Sequence, residues 1–556
     1  MMTNKELANL IFPDIKGTIE DLEKRYPIRN LPEGAEVTRF APSPTGFLHT
    51  GSLFTSMICH KVAKQSKGVF YVRLEDTDTK RGIAGSGEQL LSQLKIFGIE
   101  PDEGYLGDHE KGNYGPYVQS ARADIYRIVI KHLLEEGRAY PCFCSAEEID
   151  EIRKKQEAQK LLPGYYGEFA KCRHLSLEDA AKRVQNGDPF VIRFKSNGNH
   201  DNKIQVHDLI RGDFEIMEND QDIVIYKSDG LPTYHFAHAC DDHFMRTTTV
   251  IRGEEWIASL PIHIDLFNTL GWKAPNYAHL PVICKLDEVG HKRKLSKRLD
   301  SEAAVSYFLE DGYPPEALIM YLMTIANSNF EEWILNNKFE HMEDFQLTFN
   351  KISSEGALFD MGKVNFFSRE ILGKLNKEQI YERAKAYGEK YNPELLELIN
   401  RDPGYFKAIM NIEREKENPR KDYEKFGNVA DLIGFFYEDR FEKLLEKGFE
   451  YNEKFSNEDI VEVLSALRDK LALDQDEQSW FNNMKEIGAT LGFAGNKKEF
   501  KENPEAFKGM VGDVAEILRI TLTGRKNSPN LYYVMQILGK EKSDARINKL
   551  INIMKK

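Results

Sequence analysis

The most constraining feature of this chain is an abrupt change of period near residue 41. Val37–Phe40 (VTRF) reads as a short strand and Ala41–Gly46 (APSPTG) as a Pro-rich turn; Leu53, Met57 and Ala63 then begin a helical stripe. Gly68–Glu75 (GVFYVRLE) is β-rich again and runs into the acidic loop Asp76–Thr79. Strands alternating with helices predict an α/β domain with a parallel sheet. Such sheets bind ligands beyond the carboxyl ends of their strands, which is where Glu75 falls.

Residues 118–233 break that rhythm. They hold a cysteine cluster, a polar helix (Ala146–Lys160) and mixed strands such as Phe190–Phe194, and they read as an insertion. The α/β pattern resumes at Tyr234 and runs past Trp256, and from about Arg369 the chain reads as helical. Ser456-Asn-Glu-Asp459 is a capping-box signature, followed by Ile460, Leu464, Leu467 and Leu471 on one helical face. Leu531–Leu538 is similar, with Gly539 placed to end its helix. Residues 1–34 form a polar helical extension. A length of 556 residues suits three or four domains. The divisions expected are 1–34, 35–117, 118–233, 234–290, 291–368 and 369–556, the 118–233 insertion splitting one catalytic domain into two halves.

Composition excludes several classes. No run of about 18 apolar residues is present, so no membrane span is expected. The acids Glu6, Asp14, Glu20, Asp21 and Glu23 are foreign to a transit peptide, and the same stretch lacks the apolar centre of a secretory signal, so a cytoplasmic location is expected. Six unevenly spaced cysteines do not suggest a disulfide framework. The net charge of −13 argues mildly against nucleic-acid binding, but clustering of charge matters more than its total.

Five stretches carry candidate chemistry. Arg39–Ser52 (RFAPSPTGFLHTGS) delivers a helix N-terminus with His49 and Gly51 at its mouth. Exposed N–H groups and the helix dipole there suit phosphates, although His-Thr-Gly-Ser taken alone reads rather as a plain connecting loop. Lys292–Arg298 (KRKLSKR) sets Lys294 and Lys297 around Ser296, either for phosphate stabilisation or as a solvated basic loop. Glu75, in Tyr71–Arg81, suits a substrate ammonium or an acidic turn. Tyr226–His243 and Val250–Trp256 supply Tyr234, His238, the pair Asp241–Asp242 and Arg252; the aspartates fit a turn cap. Cys142-Phe-Cys144 with Cys172-Arg-His174 suits a closed, structural tetrahedral Zn²⁺, whereas Cys59, Cys240 and Cys284 lie in apolar stretches and are expected in the core.

Taken together, the first two stretches resemble the His-Ile-Gly-His and Lys-Met-Ser-Lys-Ser signatures of class I aminoacyl-tRNA synthetases in order and separation. The full Arg-Phe-Ala-Pro-Ser-Pro-Thr-Gly run is similar to the glutamate branch; the glutamine branch typically carries a Pro-Glu-Pro-Asn-Gly run. The family's final signature His is Ser52 here. Ala357–Asp360, Leu522–Gly524 and Leu538–Glu541 extend the resemblance through residues 36–556. It implies a Rossmann-type α/β nucleotide-binding domain, a zinc-bearing α+β insertion that grips the tRNA acceptor end, and an all-α anticodon-binding region. It further implies that His49, Lys294 and Lys297 are catalytic and that His49, Gly51, Ser52, Lys294, Ser296 and Lys297 bind ATP. Arg39, Ser43, Glu75, Tyr234 and Arg252 would bind glutamate, and Cys142, Cys144, Cys172 and His174 would hold one structural Zn²⁺ per chain. ATP with Mg²⁺, L-glutamate and tRNA(Glu), alone or together with tRNA(Gln), are the implied partners, and a monomer is expected. Rivals are a truncated relative that glutamylates a tRNA base, a nucleotidyltransferase, and a non-catalytic RNA-binding derivative. The helical C-terminal half opposes the first two, and intact His49, Glu75, Lys294 and Lys297 oppose the third.

Overall fold

A computed structural model describes residues 2–44, 46–78, 83, 85–296 and 298–556. The chain forms two compact units, one of residues Met1–Tyr307 with Ile319–Asp360 and one of Phe308–Leu318 with Met361–Lys556. Among the described residues no helix is long and apolar enough to cross a membrane.

In the first unit the extension forms two short helices, α1 (Asn4–Ile11) and α2 (Ile19–Arg25), each opened by a capping box at Thr3 and Thr18. The extension is helical as expected, yet it is more than a polar arm. Ala8, Phe12, Ile15, Leu22 and Tyr26 belong to a hydrophobic core cluster of the unit, and Leu7 packs with Ala180 and Ala181. Their spacing puts one apolar stripe on each helix, which a residue-by-residue count of charges does not register.

The period change at residue 41 appears as anticipated. β1 (Val37–Phe40) leads through the Pro-rich turn into α3 (Thr50–Gln65), and β2 (Val69–Val72) returns parallel to β1, with Arg39 opposite Tyr71. β3 (Glu103–Tyr105) continues the parallel sheet, and β4 (Glu110–Lys111) closes it antiparallel. After α4 (Ala123–Glu135) the insertion supplies an antiparallel trio, β5 (Ala139–Cys142), β6 (Val191–Phe194) and β9 (Val224–Tyr226), with α5 (Ala146–Ala158) over the cysteines.

The second half of the α/β domain begins with α6 (Tyr234–Phe244), followed by β10 (Thr249–Gly253), α7 (Leu260–Thr269) and β11 (Asn276–Leu280). β10 and β11 are parallel, and the insertion hairpin of β7 (Lys203–Asp208) and β8 (Gly212–Met217) adds to β11, giving the order β10-β11-β7-β8. The two halves join edge to edge: the Thr248 N–H donates to the Val37 carbonyl at 3.0 Å, and the Val37 N–H donates to the Thr248 hydroxyl at 2.8 Å. β12 (Ile283–Leu286) and β13 (Lys292–Lys294) then form a hairpin, which β14 (Ala357–Leu358) extends.

The second unit is helical from Met361 onward, apart from a two-residue strand pair. Its core includes Ile380, Leu398, Phe406, Trp480 and Val534. Ser456 caps the helix Asn457–Lys470, accepting the Asp459 N–H, and Ile460, Leu464, Leu467 and Leu471 are buried. Gly539 does end the helix from Leu531, at φ 77° and ψ 164°, but a second helix follows directly and runs to Met554. That φ is in the left-handed region, which favours glycine.

Candidate active site

The carboxyl ends of β1, β2 and β10 open onto a cleft of about 630 Å³. Arg39, Ser43, His49, Gly51, Ser52, Glu75, Tyr234, Arg252 and Lys294, all expected at the site, line it together. Thr77, Gln119, Glu255 and Trp256 join them. Ser296 is not part of that lining; its N–H donates to Asp300 at 2.9 Å. Lys297 lies outside the described residues, as do Thr45 and Thr79–Arg81 of the motifs.

His49 is the N-cap of α3, and its Nδ1 accepts the Gly51 N–H at 2.9 Å. An accepting Nδ1 puts the ring proton of the neutral imidazole on Nε2. The ring and the first N–H groups of a 16-residue helix thus share one mouth of the cleft, a favourable place for anionic oxygen. Lys294 ends β13, largely exposed, with its ammonium 3.5 Å from the Glu255 carboxylate.

The opposite wall is built on buried charge. Asp242 accepts the Arg73 guanidinium at 2.7 Å and Arg39 Nε at 3.2 Å, and Arg73 also donates to Glu75 at 2.9 Å. One residue earlier, Asp241 accepts Arg122 at 2.6 Å, Gln119 at 2.9 Å and Tyr126 at 2.9 Å. The pair sits inside α6, fully buried, and caps no turn, contrary to the sequence expectation. Three arginines and three carboxylates balance, as burial of charge requires. Tyr234, His238 and Asp242 are four residues apart on α6 and share one face. Tyr234 packs at a tilt against Trp256, with ring centres 4.3 Å apart, and stacks on His238 at 5.9 Å. His238, whose role the sequence left open between contact and packing, is wholly buried behind Tyr234, 2.8 Å from Asp242.

The titration shifts follow from these partners. Burial pushes the Glu75 carboxyl up, against the pull of Arg73. Burial also opposes the Asp242 charge, but Arg39 and Arg73 hold its carboxyl well below the usual range. His238 is pushed down to about 3, chiefly by burial. Neutral histidine and ionised aspartate therefore coexist there at neutral pH.

The sulfurs of Cys142, Cys144 and Cys172 lie within 4.8 Å of one another, and the Cys144–Cys172 separation is 3.7 Å. A tetrahedral zinc with Zn–S of about 2.3 Å needs sulfurs about 3.8 Å apart, so the donor set fits a metal. His174 is not in this group among the described residues. It shares a short 3₁₀ turn, Lys171–His174, with Cys172, and side chains two apart on such a turn point about 120° away from each other. The Tyr165 hydroxyl instead sits 3.5 Å from the Cys142 sulfur and 3.3 Å from that of Cys144. Cys59, Cys240 and Cys284 are buried, as expected.

Comparison with known proteins agrees with this geometry. The family described as tRNA synthetases class I (E and Q), catalytic domain, matches residues 36–366, and an anticodon binding domain matches 379–551. The chain belongs to the class I tRNA synthetases of the E and Q group. A relative from Clostridium beijerinckii, a glutamate–tRNA ligase, is 46% identical over 554 residues, covering 99% of this synthetase and all of the relative. Among solved structures, a glutamate–tRNA synthetase from Elizabethkingia anophelis is 30% identical with a TM-score of 0.73, over 93% of this chain and 100% of that one. A glutamate tRNA ligase from Elizabethkingia meningosepticum, in complex with its amino acid, is 30% identical with a TM-score of 0.70, over 93% and 99%. The synthetase core still contains residues that sequence motifs alone did not flag: Asp241, Asp242, Arg73 and Arg122 show their purpose only when distant segments meet.

Removing the Asp242 charge leaves two buried arginines short of a partner, so Asp242→Asn should cost the first unit about 3–5 kcal/mol in urea unfolding at neutral pH. A carboxyl held low in the folded state stabilises above its ordinary value of 3.8 and loses that contribution as pH falls through the depressed value. Stability of the variant should therefore fall less steeply with acid below about pH 4 than that of the parent. An unchanged acid limb contradicts the assignment.

Proposed function

We propose that the chain is a glutamate–tRNA ligase that activates L-glutamate with ATP and transfers it to the terminal adenosine of tRNA(Glu). The observation that carries this reading is the cleft itself, which Arg39, Arg252 and Glu75 line together with His49, Gly51 and Lys294. Glutamate offers two carboxylates and one ammonium. Arg252 and the Tyr234 hydroxyl suit a carboxylate, Arg39 adds a second cation, and Glu75 suits the ammonium. An incoming ammonium would restore the charge on Glu75 that burial now opposes.

The reaction proceeds in two steps. The glutamate α-carboxylate attacks the ATP α-phosphorus, giving the glutamyl-adenylate and pyrophosphate, with Mg²⁺ accompanying ATP. The 2′-hydroxyl of the terminal adenosine then attacks the mixed anhydride. No side chain forms a covalent bond to substrate; the rate comes from position and charge stabilisation. His49 Nε2–H and the N–H groups opening α3 meet phosphate oxygens, and Lys294 exchanges its contact with Glu255 for departing pyrophosphate. Lys297, which the sequence pairs with it, takes the same role. Zn²⁺ held by Cys142, Cys144 and Cys172, with His174 as the fourth ligand the resemblance implies, would fix the fold of the insertion.

Glu75→Ala and Arg252→Ala should each lower kcat/KM for glutamate by about 2–5 kcal/mol, with circular dichroism unchanged. Near-normal kcat/KM in either variant removes that residue from the site. Elemental analysis should find about one zinc per chain, and Cys144→Ser should release it and weaken tRNA charging. A metal-free preparation of full activity would remove the zinc assignment.

A further inference from the structure

The cations that line the glutamate side of the cleft are held differently. Arg39 is tied to the Asp242 carboxylate, and Arg73 behind it to Asp242 and Glu75. Arg252 is held by imidazoles. The sheet register creates this arrangement: Arg252 of β10 stands opposite His279 of β11, and Tyr277 of β11 opposite Asp208 at the end of β7.

Protonation states follow from what each group can donate. Asp208, wholly buried, accepts the N–H groups of Ile210 and Arg211 at 2.9 and 3.0 Å, the His279 N–H at 3.0 Å and His279 Nδ1 at 2.7 Å. His279 therefore carries its proton on Nδ1, and its bare Nε2 accepts Arg252 Nε–H at 3.1 Å. On the other side, His263 Nδ1 lies 3.2 Å from Arg252 Nη2. Arginine only donates, so this nitrogen accepts, and His263 Nε2–H points to His235 Nδ1 at 3.0 Å. The Tyr277 ring lies beneath the guanidinium, 4.9 Å from Cζ. Arg252 Nη1 is buried and has no hydrogen-bond partner among the described residues.

We propose that His279, anchored by Asp208, and His263 are positioning residues for substrate recognition: two neutral imidazoles fix Arg252 by Nε and Nη2 and leave Nη1 to meet a glutamate carboxylate. The inference rests on the reading of Arg252 as a glutamate-binding residue. Its physical content is twofold. Occupying Nε closes the side edge of the guanidinium, so a carboxylate must approach end-on, through Nη1 and the second Nη2–H. Acceptors without charge also leave Arg252 with no carboxylate in direct contact among the described residues, whereas a carboxylate in either place would neutralise it before substrate arrives. A cation whose direct acceptors are neutral favours an anionic side chain over its amide.

Aminoacylation kinetics on His279→Phe and His279→Gln test this. Phe keeps the ring shape and loses the acceptor; Gln places an amide oxygen near the Nε2 position. His279→Phe should raise KM for glutamate about 10- to 100-fold, the weight of a lost hydrogen bond to a charged group, with KM for ATP and kcat little changed. His279→Gln should return KM to within a few-fold of the parent. His263→Phe provides the same test from the other side should His279→Phe fold poorly. An unchanged KM for glutamate in a folded Phe variant overturns the inference, as does an equal loss in kcat and in KM for ATP, which marks a merely structural role. If Arg252→Ala abolishes glutamate use while both Phe variants behave as the parent, the inference alone fails. If Arg252→Ala leaves KM for glutamate unchanged, the reading beneath it fails as well.

Discussion

Everything at the site depends on two adjacent aspartates buried in one helix. Asp241 and Asp242 reach Arg39, Arg73 and Arg122, residues more than a hundred positions earlier in the chain. Taking such groups out of water costs several kcal/mol per ion unless each is paired and hydrogen-bonded. The sheet edge where Val37 meets Thr248 brings the halves together, and the paired charges fix how α6 sits against β1 and β2. The long stretch of chain between the halves is tolerated because closure entropy grows only slowly with loop length.

That arrangement distributes charge by purpose. Arg73 is wholly compensated and serves as a strut that also aims Glu75. Arg39 gives Asp242 its Nε, the only nitrogen of that side chain for which a hydrogen bond is recorded among the described residues. Arg252, on the same side, bonds two imidazoles and, among the described residues, no carboxylate. Across the cleft the dipole of α3 and the ring of His49 offer a second, separate place for negative oxygen. One cleft thus has distinct addresses for an amino acid with two carboxylates and for a polyphosphate, as adenylate formation demands.

What the sequence made legible was local. The strand–turn–helix at residues 37–65, the cap at Ser456 and the stop at Gly539 each depend on residues within a turn or two of one another. Motif residues such as Glu75 and Arg252 were legible because their neighbours in the chain carry the resemblance. The aspartate pair was not, because Asp-Asp in a row reads the same whether it caps a turn or anchors three distant arginines. His279 and Asp208 escaped for the same reason: only the pairing of β10, β11 and β7 sets them beside Arg252. The apolar stripe of α1 and α2 was hidden among the charges of the extension. His174, which spacing and the resemblance both set beside the cysteines, is not in the cluster of three sulfurs among the described residues.

The central claim is that fixed cations in this cleft select glutamate for attachment to tRNA. The direct measurement is ATP-dependent charging of purified tRNA(Glu) with glutamate and, separately, with glutamine, which has the same shape and lacks the second charge. The account predicts charging with glutamate and a kcat/KM for glutamine lower by about 10³-fold or more, as expected when buried polar groups are left unpaired. Comparable charging with both amino acids, or with neither, would contradict it.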